Sequence, residues 1–406
     1  MNENNPFEIS INDFSYDLPE EKIALYPLAE RDQSKLLFWN KGEITDRRFR
    51  ELPELLQGDL LVTNNTRVIE ARLFFRTETG ALVEIFLLEP HLRTDPLIAL
   101  STTGSALWNC LVGRAAKWKS ESIHLEKDKR ELAARIVNRK EGIFTIEFSW
   151  SPKEVTFAEI LHTFGNIPLP PYLKRSTEIE DLSRYQTIYA VKEGSVAAPT
   201  AGLHFTANIQ QELEIKNIRS AQLTLHVGAG TFKPVSAKTL SGHIMHSELI
   251  DVPVSLIQLL ASQDPDNTIA VGTTSLRSLE SLYWLAEILR QEPALSIDAI
   301  EIDQWYPYKH PANRTYNEQM VFLAQVADER QLNRFVFRSC LLIAPGYILR
   351  SCGGLITNFH QPGSTLLLLV AAITGNDWKK MYAHALTHEY RFLSYGDSSY
   401  LNFRKT

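Results

Sequence analysis

Cysteine and methionine are scarce in this chain, with three of the first and four of the second among 406 residues. Cys110, Cys340 and Cys352 form no CxxC pair, and an odd number cannot all pair with one another. Such usage argues against a structural zinc site and fits a reducing cytoplasm. There is no run of ~18 or more apolar residues, so no membrane span is expected. The opening stretch "MNENNPFEISINDFSYDLPEEK" is polar and acidic, unlike a signal peptide or an arginine-rich transit peptide. A basic excess is missing too: the formal charge is −6. Nucleic-acid binders carry a basic footprint, so the global balance disfavours one, although a local patch is what counts. "DRRFR" (Asp46 to Arg50) and "GRAAKWKS" (Gly113 to Ser120) are such patches, and each alone reads first as a solvated face.

Standard chemical fingerprints are also lacking. Gly228-Ala229-Gly230 runs on to Lys233 where a dinucleotide fold wants a third glycine. No GK[ST], HExxH, GxSxG or DxDxDG pattern occurs. His243, His246 and Glu248 in "GHIMHSE" are metal-ligand types at a spacing that fits no standard site, so no metal is expected.

What is present is length for two or three domains and a change of texture along the chain. Between about Arg67 and Ser151 the sequence reads as short strands, with "ALVEIFLLE" and "GIFTIEFSW" alternating, and one helix near Lys129 to Val137. On both sides the texture becomes strand-loop-helix. "FAEILHTFGNIPLPPYL" gives a helix stopped by Gly165, and "DNTIAVGTTSLRSLESLYWLAEIL" gives a buried strand, a small-residue turn and an amphipathic helix. "GLITNFHQPGSTLLLLVAAITG" repeats that scheme, with its helix opening at Ser364 or Thr365. The expected fold is a mixed α/β catalytic domain, 1–66 with 152–406, interrupted by a small all-β barrel-like domain at 67–151. Residues 291–337, which hold "DQWYPYKHPANRTYNEQ", read as an excursion from the α/β core.

Four loops share one design of small residues, hydroxyls and a His or Arg at a strand end. They are "GSVAAPTAGLHFT" with His204, "LTLHVGAGTFKPV" with His226, "AVGTTSLRS" with Arg277 and "TNFHQPGST" with His360. Ligands in α/β folds sit beyond the carboxyl ends of strands, where small residues allow close approach to free backbone N–H groups. One such loop is usually only a turn; four in one chain predict a shared pocket.

These segments, together with "DFSYDLPEEKIALYPLAERDQSKLL", "GDLLVTNNTRVIEARL", "IPLPPYLKR", "RYQTIYA", "MHSE" and "YRFLSYGDSSYL", strongly resemble the S-adenosylmethionine:tRNA ribosyltransferase-isomerase family of queuosine biosynthesis. The match runs in order from about Asp13 to Leu401. The resemblance implies a monomeric cytoplasmic enzyme that moves and isomerises the ribosyl part of S-adenosylmethionine. Its acceptor would be 7-aminomethyl-7-deazaguanine in a tRNA anticodon loop, giving epoxyqueuosine-tRNA and releasing adenine and methionine. S-adenosylmethionine would be a co-substrate, with no permanently bound cofactor. The sequence departs from the family pattern at Leu25, Glu70, Gly353, Gln361 and Gly363, and residues 291–337 exceed the usual family length. The alternatives are a paralogue using S-adenosylmethionine on another acceptor and a non-catalytic RNA-binding protein on the same scaffold.

That chemistry needs a base, because the sulfonium acidifies the C5′ hydrogens, and an acid for adenine departure. His204, His226 and His360 are the candidates, with Glu248 as second choice; which one is the base stays open. Arg277 is the candidate for the methionine carboxylate. Thr200, Phe205, Gly228, Gly230, Thr273, Thr274, Ser275 and Asn358 are the other expected S-adenosylmethionine contacts; the threonines and Ser275 offer hydroxyls, and Phe205, Phe232 or Phe359 could offer adenine a flat wall. For the RNA, a splayed base stacks on aromatic or arginine planes. Tyr172, Lys174, Arg175, Arg184, Tyr185, Arg391 and Tyr395 supply those, and Asp397 could accept from a guanine-like donor edge.

Overall fold

The computed structural model describes residues 6–56, 59–228, 237 and 239–404. Its centre is four mutually parallel strands, Arg219–His226, Leu60–Asn64, Thr268–Val271 and Gly354–Asn358, lying side by side in that order. The last three are buried at every residue, as expected of parallel strands covered on both faces. Glu248–Pro253, Arg334–Ser339 and the short Glu301–Ile302 extend the sheet on one side. On the other, Ser398–Asn402, Lys35–Asn40 and Glu43–Arg48 complete ten strands.

The helix Thr273–Gln291 packs across this sheet with Leu276, Leu279, Leu282 and Tyr283 fully buried. Its Glu280 is buried as well, yet both carboxylate oxygens are hydrogen-bonded. It accepts from Tyr347 Oη at 2.7 Å, from Ser351 Oγ at 2.7 Å and from the backbone N–H groups of Arg350 and Ser351 at 2.8 Å. A carboxylate satisfied in this way stabilises the fold, because removing a partner would leave an unpaired charge in the core. It fixes the helix against the segment that leads into Gly354–Asn358.

A second sheet of six antiparallel strands runs from Arg72–Arg76 to Ile143–Ser151. Its outer strands, Arg72–Arg76 and Ser122–Lys127, touch each other, so the sheet is nearly closed into a small barrel. The helix Phe157–Phe164, opened by a Thr156–Glu159 capping box, drives Phe157 against Trp108, Phe148 and Trp150. The fold class is therefore the α/β type with a small barrel-like unit that the sequence texture implies.

Two local expectations are corrected. Lys129 to Val137, expected as a helix, falls in the strand Arg130–Lys140, where Leu132 and Ala134 point inward between two antiparallel neighbours. Helix-forming residues gave way there to inward packing. The one helix in that stretch is Pro96–Ser101, capped by the Asp95 carboxylate on the Leu97 N–H. Residues 291–337 are likewise no excursion from the core. Arg334–Ser339 pairs with Glu248–Pro253, and the helix Tyr316–Glu329 lies on the helices Val254–Ser262 and Thr273–Gln291 with Met320 and Leu323 fully buried. The turn formers between residues 303 and 315 hid an apolar stripe at helical spacing beyond them.

Candidate active site

The carboxyl ends of the parallel strands open on a cleft of about 110 Å³. Its floor comes from three of the four small-residue loops. Ala197 to Ala201 form one wall, Gly272 to Thr274 a second, and Thr357 to Gln361 a third, with Ser364, Leu393 and Ser394 at the side. Gly272 has φ +90°, a conformation open chiefly to glycine, and it starts the helix Thr273–Gln291 with its amino end toward the cleft. Thr274 Oγ1 is buried there without a hydrogen-bond partner, which leaves it for a ligand. Gly202 also admits no side chain, since a Cβ would lie 2.1 Å from Tyr189 Oη.

Of the expected catalytic histidines, His360 lines the cleft. Its Nε2 is 2.9 Å from Thr357 Oγ1, its N–H donates to Tyr382 Oη at 3.0 Å, and its carbonyl accepts from Tyr16 Oη. Burial pushes its pKa down to about 3, so the ring is neutral. His204 stands behind Asn358. Asn358 Nδ2 donates to the carbonyls of Leu393 and Ser394, so its Oδ1 must accept from His204 Nε2–H at 3.3 Å. His204 Nδ1 is then the acceptor of the Ser34 hydroxyl at 2.8 Å. Burial lowers the pKa of this ring to about 4. His226 is lowered to about 4 by burial as well, and it sits 3.1 Å from Thr66 Oγ1 outside the cleft lining, while its neighbour Val227 lines the cleft.

Other expected ligand contacts are brought together in part. Thr200, Thr273, Thr274 and Asn358 line the cleft. Ser275 instead donates to the carbonyl of Val271 at the end of the strand Thr268–Val271, and Phe205 packs against Phe49 and Tyr189. Arg277 and Glu248 are consumed by one another: Arg277 Nη1 donates to Glu248 Oε2 at 2.6 Å and Nε to the Leu341 carbonyl at 3.1 Å, both residues being buried. The position of Arg277 in the helix turns it toward the strand Glu248–Pro253, outside the cleft lining. Gly228 has open space around it, and Gly230 and Phe232 lie outside the described residues.

The residues expected to contact RNA divide. Tyr172 and Tyr185 line the cleft itself, with Tyr172 Oη bonded to Ser394. Lys174 is exposed and pairs with Glu20, while Arg175 forks onto Asp181, which also accepts from Tyr395 Oη. Asp397 already accepts the Lys35 and Arg391 backbone N–H groups at 2.9 and 2.8 Å, so it holds a turn and has no free edge to offer a base. Arg184, Arg391 and Tyr395 border a smaller cavity beside His204, joined by Arg31 and Ser34, which the motif reading passed over. Both lie in "AERDQSKLL", so the motif held them; no local pattern distinguishes them from surface residues. Of the departures from the family pattern, Gln361 lines the cleft and Gly353 admits no side chain, since a Cβ would lie 2.3 Å from the Asp266 carbonyl.

Among the described residues one group, Asp46, His384 and His388, brings three ligand-type atoms within 4.8 Å of one another, at the far edge of the sheet. Asp46 is engaged there by His384 and Tyr390.

A ligand cleft at the carboxyl ends of parallel strands, walled by small residues, hydroxyls and a neutral imidazole, defines an α/β enzyme that handles a small polar substrate. The family model described as queuosine biosynthesis protein matches residues 11–401, and the chain belongs to that family. It is also similar to the S-adenosylmethionine tRNA ribosyltransferase of Thermotoga maritima, at 27% identity over 96% of this chain and 99% of that one, with a TM-score of 0.45.

Proposed function

We propose that this protein transfers and isomerises the ribosyl moiety of S-adenosylmethionine onto 7-aminomethyl-7-deazaguanine in tRNA anticodons, yielding epoxyqueuosine-tRNA, adenine and methionine. Membership of the queuosine family supports the pathway. The observation that carries the chemistry is the convergence of Thr200, Thr273, Thr274, Asn358 and His360, far apart in sequence, on one cleft. His360 faces the substrate as a neutral imidazole at pH 7, in the form that accepts a proton from the carbon next to the sulfonium. His204 acts through Asn358 as a positioning residue. Thr273 and Thr274, at a helix amino end, are placed to hydrogen-bond ribose hydroxyls. Tyr172, partly exposed on the same wall, gives the splayed base an aromatic surface, and the fully buried Tyr185 supports that wall from behind.

In this reading the enzyme is a cytoplasmic monomer, S-adenosylmethionine is consumed as a co-substrate, and the α/β domain (1–66 and 152–406) carries the cleft while 67–151 form the inserted barrel. No described helix is long and apolar enough to cross a membrane. The test is adenine release on mixing the protein with S-adenosylmethionine and tRNA bearing the aminomethyl base. Release that depends on that base supports the assignment. Release without it would mean another acceptor, and no release with any RNA would mean a binding protein.

A further inference from the structure

Arg277 is occupied by Glu248, so the cleft must find its positive charge elsewhere, and the structure supplies it next door. A small cavity of about 20 Å³ adjoins the cleft, bordered by Arg31, Arg184 and Arg391 together with Ser34, His204 and Ser394. Ser394 borders both spaces, and His204 reaches from one to Asn358 in the other. We propose that these three arginines form an oxyanion subsite, holding a carboxylate or phosphate of the substrates bound in the cleft. The proposal rests on the functional reading above and deepens it.

The argument is one of uncompensated charge. Arg31 donates to the carbonyls of Gln186 at 2.6 Å, Ser183 at 2.7 Å and Leu203 at 3.4 Å. Arg184 crosses back to the carbonyls of Leu28 and Ala29, and its Nε is buried with no hydrogen-bond partner. Neither has a carboxylate within ion-pair distance among the described residues. Arg391 donates to the Tyr26 carbonyl at 3.3 Å and pairs with Asp397 at 3.8 Å, the one carboxylate set against the three guanidiniums among the described residues. Carbonyl dipoles satisfy donors; they do not neutralise guanidinium charge. Burial and the neighbouring Arg184 charge both weigh against the charged form of Arg31. Three guanidiniums around a small concavity concentrate positive potential, and a planar fork suits carboxylate or phosphate oxygens. The cavity opens beside the substrate cleft, which puts a bound oxyanion within one ligand's reach of it.

Two substrates carry such a group: the methionine carboxylate of the sulfonium nucleoside and a phosphodiester of the anticodon loop. Arg391→Gln is the informative change, because the loop ties made by Arg31 and Arg184 remain. Arg31→Lys is the second variant, and circular dichroism checks the fold of both. If the carboxylate is the occupant, Arg391→Gln weakens S-adenosylmethionine by roughly tenfold to one-hundredfold. Its decarboxylated analogue then binds both proteins alike. If a phosphate is the occupant, the anticodon stem-loop weakens instead, and its salt slope falls by about one. Wild-type affinity for both substrates in both folded variants would overturn the subsite. Inorganic phosphate provides the independent readout, as a rise in wild-type melting temperature that Arg391→Gln loses. That rise in a protein which binds neither substrate would sink the functional reading and keep the subsite.

Discussion

Histidines of opposite character occupy two regions of this molecule. In and behind the cleft, His204, His226 and His360 hydrogen-bond only neutral side chains, and burial drives their pKa values down to about 4, 4 and 3. At the foot of the barrel, His162 on the helix Phe157–Phe164 lies between Glu193 and Glu70, which push its pKa up to about 10. Desolvation acts on all four; only the second region adds carboxylates to reverse it. One residue type is thus uncharged in and behind the cleft and cationic at neutral pH where structural segments meet. The protonation state is a property of the surroundings, and the surroundings belong to the fold.

The widest gap between the regions should show in turnover. His360→Ala is expected to lower kcat by roughly 10²- to 10⁴-fold with the circular dichroism spectrum retained. His162→Gln should leave kcat unchanged. Equal rates for wild type and His360→Ala would erase the distinction.

The next effect concerns stability around the cleft. Arg277→Ala would leave Glu248 buried and alone, and a loss of about 3–5 kcal/mol in chemical denaturation is expected. If the variant is as stable as wild type but fails to bind S-adenosylmethionine, Arg277 is a ligand residue after all.

Acid sharpens the contrast further. An unfolded histidine titrates near 6.5, so between about 6.5 and 4 the unfolded state binds protons that His204, His226 and His360 refuse when folded. Stability should therefore fall as pH drops through that window, by up to about 1.4 kcal/mol per pH unit for each histidine. Melting temperatures between pH 7 and 4 measure it, and His226→Gln should flatten the slope. A melting temperature unchanged down to pH 4 would mean these rings protonate freely in the folded protein.

His162 gives the smallest effect, with the opposite sign. Its folded pKa is raised, so its contribution is present below about 6.5 and is lost as pH rises through about 10. Half-exposed as it is, His162→Gln should cost less than about 1 kcal/mol at pH 7. A larger loss would mean that Glu70 and Glu193 repel each other strongly without it.

Much of this was legible before folding. The strand-loop-helix texture announced the α/β core, and small residues with hydroxyls marked the loops that wall the cleft, because close backbone approach demands those residue types. What sequence could not supply was direction. Arg277 sits four residues into a helix, and whether it faces the cleft or Glu248 depends on the strand packed beside it. Tyr185 reads in the sequence as an aromatic contact for RNA and is instead fully buried behind the cleft wall. Arg31 and Arg184 are separated by more than 150 positions, and nothing local says that they meet. The strand Arg130–Lys140 was missed because its composition suits a helix as well, until neighbours on both sides claim it.

The pairing of Lys35–Asn40 with Ser398–Asn402 sets the order in which this protein can come into being. Some 360 residues separate those partners, a gap of about 20–70 s at ordinary rates of synthesis. During that interval the early strand has its hairpin partner Glu43–Arg48 on one edge and nothing to pair with on the other. The wall that holds Asn358 and His360 also waits, since Gly354–Asn358 takes the same late strand as its neighbour. The cleft is therefore among the last features a newborn chain can finish.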